Sequence, residues 1–107
     1  MASTVLCGAN SYDRKYYFNE EEFSILPDHI KKELQILCVT FTENCGGIMT
    51  LEYDEKGSLE IRTEAEEADA MYDDINAGMQ VEKIRRDKKD LFEALEMFYR
   101  VFMGGAH

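Results

Sequence analysis

The stretch EAEEADAMYDD, residues 64 to 74, carries six carboxylates in eleven positions and no cation. If it is helical, Asp69 and Asp73 share a face four residues apart and, with Glu66, offer oxygen ligands to a hard divalent cation. A second acidic pair, Glu52 and Glu60, faces across a hairpin and offers the same chemistry. Either site would suit a small metal-dependent enzyme. Neither follows a calcium-loop pattern, because DDINAG lacks alternating ligands and a bidentate Glu after the glycine. Two other readings compete with cation binding. The carboxylates form a solvated approach that favours the start of the following helix through its dipole, or they dock on KIRRDKK, residues 83 to 89, which holds five of the chain's twelve cations. The solvated approach leads, docking within a chain or across a dimer is its rival, and a cation site comes third.

The remaining reactive side chains point to little chemistry. Three cysteines, Cys7, Cys38 and Cys45, are an odd number without framework spacing, which suits free thiols in a reducing compartment. Cys38 falls on an apolar helical face and reads as a buried thiol. Cys45 reads as more exposed, near a helix carboxyl end where the dipole disfavours a thiolate. Seven residues separate the two, about 10 Å along a helix, which is too far for a redox pair. His29 and His107 have no Cys or His at zinc spacing, and the glycines make no phosphate-binding fingerprint. No catalytic residue and no cofactor is assigned.

The elements that must position these groups follow from periodicity. Residues 1 to 14 show none and are expected to be mobile, outside a single domain of residues 15 to 107. KYYFNEEEF then docks aromatic area as a short strand or turn. Pro27 and Asp28 suit the first turn of a helix, and Ile30, Leu34, Leu37, Cys38 and Phe41 recur at the spacing of one helical face until CGG at 45 to 47 stops it. GGIMTLEYDEKGSLEIRT reads as a hairpin. A type I turn at Asp54 to Gly57 with Gly57 left-handed sets Tyr53 against Leu59, Leu51 against Ile61 and Met49 against Thr63, which gathers the apolar residues on one face. It also sets Glu52 against Glu60, a like-charge pair that Arg62, diagonal to Glu52, can offset. A long carboxyl-terminal helix runs from the acidic stretch to about Met103, weakly interrupted at Gly78. Its stripe of Val81, Ile84, Leu91, Leu95, Phe98 and Phe102 has Lys88 in the seam.

In LFEALEMFYRVFM, residues 91 to 103, ten of thirteen side chains are apolar. The stretch spans about 20 Å, too short for a bilayer core. Self-association through Leu91, Leu95, Phe98 and Phe102 would bury it, and so would a monomer whose aromatic amino-terminal segment wraps the helix. Homodimerisation is the favoured reading. The expected fold is therefore α+β: helix, β-hairpin and long carboxyl-terminal helix, completed by a second copy.

Composition bounds the partners. A 107-residue chain with 22 Asp and Glu against 12 Lys and Arg has a net charge of -10, which repels nucleic acid and anionic membranes and favours neutral or basic proteins. MASTVLCGAN has no basic residue ahead of its short apolar run, so a cytoplasmic protein is expected. Together LPDHIKKELQILCVTFTE, GGIMTLEYDEKGSLEIRT, MYDDINAG and KKDLFEALEMFYRVF resemble an uncharacterised domain-of-unknown-function family of small acidic bacterial proteins of the Gram-positive type, over residues 15 to 103. The resemblance implies a bacterial cytosolic protein and brings no activity, ligand or catalytic residue with it. The function expected is a non-enzymatic interaction or regulatory module with an acidic surface. The alternatives are the metal-dependent enzyme and an acidic antagonist of a basic protein.

Overall fold

The computed structural model describes residues 3–104 of the chain, so His107 lies outside the described residues. Strands β1 (Thr4–Asn10), β2 (Lys15–Phe18), β3 (Ile48–Tyr53) and β4 (Leu59–Glu64) form one antiparallel sheet in the order β2-β1-β3-β4. The helices are α1 (Glu20–Phe23), α2 (Asp28–Cys45), α3 (Asp74–Asp87) and α4 (Lys89–Tyr99), and a π-helical turn covers Arg100–Gly104. The fold is thus α+β, a sheet with helices packed against it.

The β3–β4 hairpin adopts the register expected from its apolar alternation. Tyr53 lies opposite Leu59, Leu51 opposite Ile61 and Met49 opposite Thr63. The turn closes through the Gly57 N–H donating to the Asp54 carbonyl at 3.0 Å, with Gly57 at φ 88°. A left-handed residue here costs glycine nothing. The Asp54 carboxylate accepts from the N–H groups of Lys56 and Ser58, both at 2.9 Å, and fastens the loop.

Two expectations are corrected. Residues 4 to 10 are no lead-in: β1 is an inner strand paired on both sides, and Leu6, Cys7, Gly8 and Ala9 are all buried. A bulge between Val5 and Cys7 breaks its alternation, which is why a period-two pattern is missing from the sequence. Asn19 satisfies the bulge, its amide nitrogen donating to the Leu6 carbonyl (3.0 Å) and its Nδ2 to the Val5 carbonyl (2.9 Å). Its Oδ1 accepts from the Glu22 N–H at 3.2 Å and caps α1. That short helix delivers Phe23 into the core, stacked on Tyr53 at 5.6 Å.

The second correction concerns the long helix, which is two helices. The chain breaks at Lys88 (φ -111°, ψ 24°) rather than at Gly78. In a continuous stripe the Lys88 ammonium would lie in an apolar seam. The break instead places it 3.0 Å from Glu33 of α2. It also lets the two halves cover different ground, with α3 against α2 and α4 against the hairpin. There the Tyr53 hydroxyl donates to the Leu95 carbonyl (2.9 Å) and the Leu59 N–H to Glu96 Oε2 (2.8 Å).

The core lies between the inner sheet face and the helices. Tyr53, Phe23, Leu6, Leu34, Met49, Leu51 and Leu59 are its largest fully buried side chains, each contributing about 1.5–3 kcal/mol. The outer sheet face is polar and carries Thr50, Glu52 and Arg62.

Candidate functional site

The acidic residues do not converge on a cation. Residues 65 to 73 are an irregular connection rather than helix, so Asp69 and Asp73 share no face. Asp69 Oδ2 accepts from the Tyr12 hydroxyl at 2.6 Å, and its Oδ1 accepts from the Met71 N–H at 3.0 Å. Asp73 caps α3 by accepting from the Asn76 N–H at 3.0 Å. The Glu66 N–H donates to the Tyr12 oxygen (3.0 Å) while its carboxylate is exposed. Tyr12, in the β1–β2 turn, therefore pins the acidic loop. Donation to Asp69, followed by burial, raises its pKa above the ordinary tyrosine value.

Glu52 and Glu60 are opposite in register, as expected, yet each turns to its own partners. Glu52 takes hydrogen bonds from Ser3 Oγ (3.0 Å) and Thr50 Oγ1 (3.1 Å) and lies 3.7 Å from Arg62. Glu60 lies 3.7 Å from Arg85 of α3. Among the described residues no group of three or more His, Cys, Asp or Glu is arranged to hold a metal ion. The basic half of α3 spends its charge on Glu60 through Arg85, on Asp87 through Arg86 and on Glu33 through Lys88. None of these pairs reaches residues 64 to 74.

The four residues expected to mediate self-association separate. Leu95 is buried, and Leu91 and Phe98 are partly buried against the core. Phe98 lies 6.2 Å from Phe23, so the amino-terminal aromatic segment does cover part of α4. Phe102 is exposed and tilts onto Phe98 at 5.0 Å; beside it Met97 and Val101 are also exposed.

The thiols are all buried, Cys45 included. Cys45 receives a weak contact from Asn76 Nδ2 at 3.6 Å, because α3 starts beside the end of α2. Burial, then the Asp73 carboxylate, pushes its thiol above the ordinary value. The neighbour of Cys38 is Cys7, with the sulfurs 3.7 Å apart. That pairing depends on where β1 lies and was illegible in the sequence. Tyr16 packs beside them with its hydroxyl buried against the Cys7 thiol and without an oxygen or nitrogen partner among the described residues.

A groove between α2 and α3 is a further concave feature that the sequence reading did not contain. α2 and α3 are tied at one end by Asn76 and the buried Ala77 and at the other by Lys88 and Glu33. Between the ties they enclose a groove of about 600 Å³, within the range of ligand sites. Leu37, Phe41 and Ile84 form its floor, while Ile36 stands on its wall with 60% of its surface exposed. His29, Lys32, Lys83 and Asp87 stand on the rim. Glu33 and Lys88 neutralise each other, and Asp87 is held 3.5 Å from Arg86. Lys32 and Lys83 make no ion pair with another described residue. In a chain of net charge -10, this is an apolar groove with a locally cationic rim. The only sequence trace of it is Lys32 and Ile36, four apart on the side of α2 away from its core face.

No helix among the described residues is long and apolar enough to cross a membrane. No curated protein matches the chain, and no solved structure does. A family model does match, over residues 3–107, and by that match, which takes in β1 as well as the hairpin and helices, the chain belongs to the family of unknown function DUF6145.

Proposed function

We propose that the protein is a non-enzymatic cytoplasmic interaction module that acts as a homodimer and presents an acidic surface to neutral or basic partners. The observation that carries the interaction reading is the uncovered α2–α3 groove; the acidic surface rests on the net charge of the rest of the chain. Its lining supplies apolar contact area and unpaired charge, which is the chemistry of recognition. Exposed Met97, Val101 and Phe102 add a second apolar strip. Three free thiols suit a reducing compartment. Net charge -10 favours a partner of neutral or opposite sign.

Sedimentation of the full chain over a wide concentration range tests the reading. The expected result is a concentration-dependent rise to twice the chain mass. A constant monomer mass at every concentration would remove it.

A further inference from the structure

We propose that the acidic loop of one copy, residues 65 to 73, docks reciprocally into the α2–α3 groove of a second copy. This rests on the self-association reading above and specifies its surface.

The two surfaces are complementary in polarity and charge. The groove offers exposed Ile36 between the unpaired ammonium groups of Lys32 and Lys83. The loop offers Met71, 89% exposed, five and four residues after the exposed carboxylates of Glu66 and Glu67. An apolar knob beside anions thus meets an apolar trough beside cations. Met is a flexible side chain that adapts to irregular apolar surfaces. Contact of Met71 with the groove supplies attraction, and the charges set register and suppress wrong partners.

The loop is held away from its own groove. Its Asp69 is bonded to Tyr12 at 2.6 Å, in the turn between β1 and β2. Tyr72 packs against the backbone at Gly46 and Gly47. Released from neither tether, the loop meets a groove only on another molecule. A loop and a groove on each chain give two identical contacts about a twofold axis, which closes the assembly at a dimer.

Charge reversal with rescue tests the pairing. Lys32→Glu with Lys83→Glu reverses the groove, and Glu66→Lys with Glu67→Lys reverses the loop. All four side chains are exposed, and circular dichroism with thermal melting verifies that each variant is folded. By sedimentation, wild type is expected to dimerise, and each double variant alone to associate about tenfold or more weakly. An equimolar mixture of the two variants is expected to recover the dimer, since both of its contacts again pair opposite charges. A monomeric wild type overturns the self-association reading itself. A wild-type dimer that survives both reversals overturns the loop-in-groove contact. Variants that fail to recover on mixing also overturn it.

Discussion

Tyr16 illustrates how a single group records its surroundings. Its ring covers the inner sheet face beside Cys7 and Cys38, but its hydroxyl is buried, and among the described residues it finds no oxygen or nitrogen partner, only the weakly accepting Cys7 thiol. An unmade buried hydrogen bond costs about 1–3 kcal/mol. Tyr16→Phe is therefore expected to raise stability by about 1 kcal/mol in urea unfolding; a lower midpoint would show that the hydroxyl has a partner. Burial also pushes up the hydroxyls of Tyr16 and Tyr53, and the contact with the Cys7 thiol, followed by burial, pushes up the Cys38 thiol. Each of these groups is held neutral in the folded chain and ionises more readily in the unfolded one. The stability they contribute is complete below their ordinary values of 9.0 for the thiol and 10.0 for the phenols, and falls as pH rises toward the folded values. The urea midpoint should drop steadily above about pH 9, and less steeply in Tyr16→Phe. A midpoint flat through that range would contradict the burial of these groups.

Among the elements, α3 and the turn before β3 show how backbone and neighbours decide what a glycine does. Gly78 lies in helix α3, and a Cβ there would meet nothing within 4 Å. Gly78→Ala should stabilise by about 0.5–1 kcal/mol through helix propensity alone. Gly47 has φ 72°, and a Cβ there would lie 2.5 Å from the Glu64 carbonyl oxygen and 2.7 Å from the Tyr72 ring. Gly47→Ala should destabilise by about 2 kcal/mol or more, from strain and overpacking together. Thermal melting of the two variants separates them by sign, and shifts in the same direction would sink this account. The break at Lys88 belongs to this scale too. Periodicity located the apolar stripe and noticed a lysine in it. That the lysine ends one helix and starts another depends on Glu33 of α2 being within reach.

At the scale of the molecule, the carboxyl-terminal apolar residues divide between core and surface. Phe98 packs on Phe23 and Phe102, whereas Phe102 is 62% exposed. Phe98→Glu should therefore lower the melting temperature by burying a charge, and Phe102→Glu should leave it nearly unchanged. Equal melting of the two would mean that α4 does not sit on the hairpin as described. The sequence by itself determined the α+β class, the extent of α2, the hairpin register and its Glu52–Glu60 opposition, because each follows from local periodicity, turn chemistry and caps within a few residues. It also located the acidic loop and the basic half of α3. Only the tertiary structure decided that β1 is an inner strand, that Cys7 meets Cys38, that Tyr12 holds Asp69, and that α2 and α3 leave a groove between them. Those features join residues 31 to 57 positions apart in the chain, or depend on a bulge that erases alternation. Local patterns are blind to such contacts, since the free energy that selects them comes from surfaces brought together by the whole fold.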